Sequence, residues 1–159
     1  MNHLDVLLER LVTSWRSQGL EVGPRLTEGT IAEFERQHRV SIPVDLKQYF
    51  LRANGMNRST GSWPVDMHEI SFYPLAELER YTNEAAQLGA AFIFADYLIS
   101  SHDYVVDLSG APGCPGRVFA VGGPRIQVAN DFCGFLDRYL AGDPDVLQPW
   151  RGIQSEGAV

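Results

Sequence analysis

The apolar residues of this chain change their spacing twice, and that change limits the fold more than any other feature. Up to residue 55 they recur every three or four positions. From residue 70 to 128, the helical spacing of 75–88 aside, they alternate or form short runs, and from Phe132 the helical spacing returns. Helical spacing gathers apolar groups on one stripe, whereas alternation puts them on one face of a strand. Helices, then strands, then a helix predict an α+β fold with a mainly antiparallel sheet and helices packed against it.

The individual elements follow from local signals. Leu4, Leu7, Leu8, Leu11, Val12 and Trp15 predict an amphipathic helix over residues 3–18, stopped by Gly19. A second helix carries Ile31, Phe34 and His38 on one face. Its cap is Thr27 or Thr30, and Thr30-Ile31-Ala32-Glu33 fits the capping box. Pro43 lacks an N–H and biases Ile42 away from helical geometry, so the helix breaks there. Leu46, Tyr49, Phe50 and Ala53 then predict a third helix, closed by Asn54-Gly55.

Residues 56–66 read as a loop, and Ile70 and Phe72 as a half-buried strand. Pro74 is expected to open a helix through Leu75, Leu78, Thr82, Ala85 and Leu88 to Gly89. Ala91 to Ala95 predicts a central strand, with Tyr104, Val106 and Leu108 in the next and Asp96 to Asp103 connecting them. Gly110 to Gly116 forms a turn, and Val118–Val121 and Ile126–Val128 are further strands. Phe132, Phe135, Leu136, Tyr139 and Leu140 define a last helix, capped by Asn130 or Asp131 and stopped by Gly142. The tail over 143–159 is expected to be irregular. The whole, residues 1–159, is expected to be one domain with its core at about 26–140.

Twenty acids against thirteen bases give a net charge of −7. This disfavours a nucleic-acid binder, which neutralises phosphates with Lys and Arg, and an anionic membrane surface. It suits a basic protein partner, and it also serves plain solubility. Cys114 and Cys133 are the only cysteines, too few for a disulfide scaffold. The start, Met1-Asn2-His3-Leu4-Asp5, has no signal-peptide pattern, so a cytoplasmic protein is expected.

Reactive chemistry is poorly supported. Ser100-Ser101-His102-Asp103 has hydrolase residue types, but triad members meet in space and no Gly-x-Ser-x-Gly elbow is present. His3, His38, His68 and His102 never pair at helical spacing, so no metal is expected. Gly122-Gly123-Pro124-Arg125 lacks the P-loop lysine and reads as a hairpin turn. No cofactor is expected. Asp96, Asp103 and Asp107 bracket one hairpin, either as solvated turn residues or as an acidic patch. Trp63, beside Pro64, either folds over the core or anchors a partner.

Three segments read together resemble the SUKH superfamily. The first runs from Leu26-Thr27-Glu28 through Ile42-Pro43-Val44-Asp45-Leu46-Lys47-Gln48-Tyr49-Phe50-Leu51 to Asn54-Gly55. The second is Phe92-Ile93-Phe94-Ala95-Asp96 with Tyr104-Val105-Val106-Asp107-Leu108, and the third Ala129-Asn130-Asp131-Phe132 through Leu140. One departure is Tyr97-Leu98-Ile99-Ser100-Ser101-His102, where many members have a Gly-rich turn. The resemblance implies a non-enzymatic binding domain. Its relatives imply two roles, a bacterial immunity protein that neutralises a toxin with a basic surface, or a regulatory scaffold like the fungal cell-wall regulators. An undetected hydrolase is the third reading. The expected partner contacts are Trp63, Asp66, Asp96, Asp103 and Tyr104, and the oligomeric state stays open.

Overall fold

Asn2 caps the first helix, α1 (His3–Ser17), with a reciprocal capping box to Asp5, and the helix turns Leu7, Leu8, Leu11, Val12 and Trp15 inward. These coordinates are a computed structural model, and they describe residues 1–57, 63–82 and 88–151. Helix α2 (Glu28–His38) is capped by Thr27, whose Oγ1 accepts from the Thr30 amide. The capping box expected at Thr30 is therefore corrected: Thr30 lies inside the helix, and Glu33 pairs with Arg36. Helix α3 (Val44–Arg52) starts directly after Pro43 and buries Leu46, Tyr49 and Phe50.

Among the described residues, the sheet has six strands: β1 (Ile70–Phe72), β2 (Glu79–Arg80), β3 (Ala91–Tyr97), β4 (His102–Asp107), β5 (Val118–Val121) and β6 (Ile126–Ala129). The order is β1-β3-β4-β5-β6, with β2 also pairing β3, and every pairing is antiparallel. Helix α4 (Phe132–Leu140), capped by Asp131, and the short α5 (Pro144–Leu147) follow.

The helices cover one face of the sheet. Trp15, Tyr49, Phe50, Phe132 and Phe135 meet Phe72, Phe92, Phe94 and Tyr104 there. Burying each such side chain contributes about 1.5–3 kcal/mol. The opposite face carries a smaller cluster of Ala91, Val105, Phe119 and Val121. At the far edge, Arg138 Nη1 donates to the Val128 carbonyl at 2.9 Å and Gln127 Nε2 to the Ala129 carbonyl at 3.4 Å.

Three expectations are corrected. The helix expected from Pro74 is a single 3-10 turn, Leu75–Glu77, followed by β2. Leu75 and Leu78 are buried, but Glu77, Glu79 and Arg80 between and beyond them face solvent, a spacing that a strand satisfies as well as a helix. Residues 83–87 of that expected helix lie outside the described residues. The connection expected from Asp96 to Asp103 is shorter, because β3 runs to Tyr97 and β4 starts at His102. The expected irregular tail begins with a helix: Asp143 caps α5 and Val146 is fully buried, while 152–159 lie outside the described residues.

Candidate interaction surface

Two of the five expected partner contacts reach solvent and three are interior. Trp63 is 41% exposed. Asp103 is half-buried. Asp66, Asp96 and Tyr104 sit at 5%, 0% and 0% exposure, so a partner's surface does not reach them. Their places explain their chemistry. Asp66 Oδ1 accepts from the backbone amides of His68 and Ile70, and its other oxygen accepts from the Tyr139 hydroxyl. Tyr104 donates to the Val146 carbonyl at 2.8 Å, fastening α5 to the sheet.

Trp63 stands at the rim of a groove of about 350 Å³ lined by Tyr73, Ala76, Glu77, Leu78 and Glu79. Its ring meets Tyr73 edge-on, with centroids 6.2 Å apart. Glu77 and Glu79 are exposed on the same groove. The groove therefore joins an aromatic wall to two acids, a combination that suits a cationic side chain. The sequence reading missed both glutamates because it placed them on a helix. Their alternation with buried Leu78 was the available signal.

From this groove a line of contacts runs inward. The Tyr73 hydroxyl donates to Asp96 Oδ2 at 2.5 Å, and burial with the Asp96 charge raises the phenol far above its ordinary value. Asp96 is the cross-strand partner of Asp103, whose carboxyl is raised by burial first and by Asp96 second. Asp107, the third acid of that hairpin, is a structural residue: it pairs with Arg117 at 3.1 Å and accepts from Ser109. Those donors hold its carboxyl below the ordinary value against the opposing effect of burial.

His102 does not meet a nucleophile and an acid in the manner of a hydrolase. Its ring stacks on Tyr97 at 4.8 Å and lies edge-on to Tyr104 and Trp150. Burial pushes it down to about 4. Among the described residues no group of three or more His, Cys, Asp or Glu side chains is placed to hold a metal. No described helix is long and apolar enough to cross a membrane.

The hairpin tip between β3 and β4 is unusual. Leu98, Ile99 and Ser100 all adopt left-handed backbone, with φ of 48°, 52° and 64°. A β-branched residue rarely takes that conformation. Leu98 and Ile99 are 45% and 70% exposed, so the tip presents apolar groups to solvent.

The model of the SMI1 / KNR4 family (SUKH-1) matches residues 25–138. That family supports a protein-interaction domain and is generally non-enzymatic. No curated protein matches the chain.

Proposed function

Because the chain belongs to the SMI1/KNR4 (SUKH-1) family, we propose that it is an immunity protein, which binds and neutralises a cognate bacterial toxin through a basic surface of that toxin. The observation that carries this reading is the exposed Trp63 beside Glu77 and Glu79 on a chain of net charge −7. A large aromatic flanked by acids is the composition of a binding hot spot for Arg or Lys. Opposite potentials also speed the encounter, in a manner that salt suppresses. Trp63 and Asp103 remain the proposed contacts from the sequence, and Glu77 and Glu79 join them. The proposed location is the cytoplasm.

The test is affinity capture of the tagged protein from its native cell, followed by binding measurements on whatever is captured. One basic toxin domain, whose affinity falls with salt, is the expected result. Trp63→Ala should weaken that complex by about 2–4 kcal/mol, the range of a hot-spot residue. The cost to folding, from the lost Tyr73 contact, should be smaller, about 0.5–1.5 kcal/mol. Several unrelated cellular partners and no toxin would instead support the regulatory scaffold.

A further inference from the structure

Three residues form a row across the sheet. Ser71 of β1 pairs with Asp96 of β3, and Asp96 pairs with Asp103 of β4. Directly paired residues project from the same face. The face is the one opposite the helices, because Asp103 is also paired with Val121 of the smaller cluster. Ser71 and Asp96 are both fully buried. The Ser71 hydroxyl, Asp96 Oδ1 and Asp103 Oδ1 are enclosed and have no hydrogen-bond partner.

Two ionised carboxylates directly opposite each other repel, and each orphaned oxygen carries its full desolvation penalty. Among the described residues the surroundings bring no positive charge. From beyond β1, Tyr73 donates to Asp96, and from β2, Glu79 adds a further negative charge. On β3, Tyr97 stacks on His102 of β4, and burial keeps that imidazole neutral. The Ser100 hydroxyl lies beside Asp103, and β5 contributes only Val121. Among the described residues neither carboxylate has an ion-pair partner.

A proton resolves both orphaned carboxylate oxygens at once. We propose that Asp96 and Asp103 hold one proton between them, Asp103 being the acid that donates to the Asp96 carboxylate. The assignment follows from Tyr73: its hydrogen bond to Oδ2 marks Asp96 as the charged acceptor. The sheet thus contains a proton-binding site that titrates as a pair. The same physics makes two carboxyl groups in one site share a proton elsewhere. The sign of the linkage is the reverse of that for a salt-bridged acid. The folded chain binds this proton more tightly than the unfolded chain. Its stabilisation is complete below the unfolded carboxyl value and is lost as pH rises through the raised folded value.

Carbon-13 carboxyl titration of the full chain tests this directly, from about pH 3 to about pH 8, a range that spans an ordinary carboxyl. The Asp103 side chain should titrate later than an ordinary carboxyl. In Asp103→Asn the amide takes the place of the acid as donor, and the late step disappears. Thermal unfolding gives the second readout. The midpoint of Asp103→Asn minus that of the parent should grow as pH rises, because only the parent loses a proton there; His102 and Asp107 are common to both and cancel. Ordinary titration of both carboxyls in the parent would overturn the proposal even if the variant failed to fold. A midpoint difference independent of pH would overturn it as well.

Discussion

The Tyr139 hydroxyl donates to the carboxylate of Asp66, 73 positions away in the chain, and itself receives the Trp15 indole N–H at 3.2 Å. This buried relay joins α1, α4 and the turn before β1. Tyr139→Phe leaves the Trp15 donor and one Asp66 oxygen without partners inside the protein. Hydrogen bonds to charged groups are worth about 1.5–3 kcal/mol, so a loss of about 2 kcal/mol is expected. Urea unfolding measures it, and a midpoint equal to the parent's would show that the relay contributes nothing.

The hairpin tip gives a prediction of opposite sign. Left-handed backbone costs an L-residue about 1–2 kcal/mol, whereas glycine loses about 0.5–1 kcal/mol in extra chain entropy. At Ile99, φ is 52° and the side chain is mostly in solvent. Ile99→Gly should therefore stabilise the fold by about 0.5–1 kcal/mol. Calorimetry should show a higher melting temperature, and a lower one would mean that the exposed side chain packs against something.

Asn54-Gly55 shows how much of this fold was legible. The pair was expected only as a helix stop, which it is: Asn54 and Gly55 have φ of 25° and 68°. It also binds the 3-10 turn, because the Leu75 amide donates to Asn54 Oδ1 at 2.9 Å. A Cβ on Gly55 would lie 2.6 Å from the Tyr73 backbone. Gly55→Ala should thus cost about 2 kcal/mol or more, beyond an ordinary left-handed penalty. Equilibrium unfolding would report it, and a neutral effect would show that the Tyr73 strand end moves freely.

The periodic helices were readable for the same reason that Gly55 was: local chemistry specifies them. Leu7 through Trp15 and Phe132 through Tyr139 repeat at a spacing that no strand tolerates. Leu75 and Leu78 were ambiguous, since an i, i+3 spacing of apolar positions fits both a helix and a 3-10 turn leading into a strand. Asp66, Asp96 and Tyr104 were misplaced because burial of a polar group depends on partners far away in sequence. The Tyr139 donor to Asp66 and the acceptor for Tyr104 come from α4 and α5, and no local pattern announces them. The left-handed tip was equally silent, since Leu98-Ile99-Ser100 contains no glycine.

His102 supplies a second pH prediction, of a group whose burial outweighs the nearby Asp96 charge. Burial lowers its imidazole from 6.5 to about 4. The stability linked to this group is complete above 6.5 and is lost as pH falls through about 4. Proton NMR should place its titration near the lower value. In His102→Phe the acid-induced fall in melting temperature should be smaller than in the parent. A normal imidazole titration would mean that Trp150 does not close over the ring.

The capped edge at β6 bears on how this protein can evolve. With the Val128 and Ala129 carbonyls accepting from Arg138 and Gln127, an incoming chain finds fewer open acceptors to extend the sheet there. Selectivity then resides in side-chain identity, which can drift one substitution at a time without shifting any strand out of step. A scaffold built this way can change its preferred protein partner while its backbone stays the same.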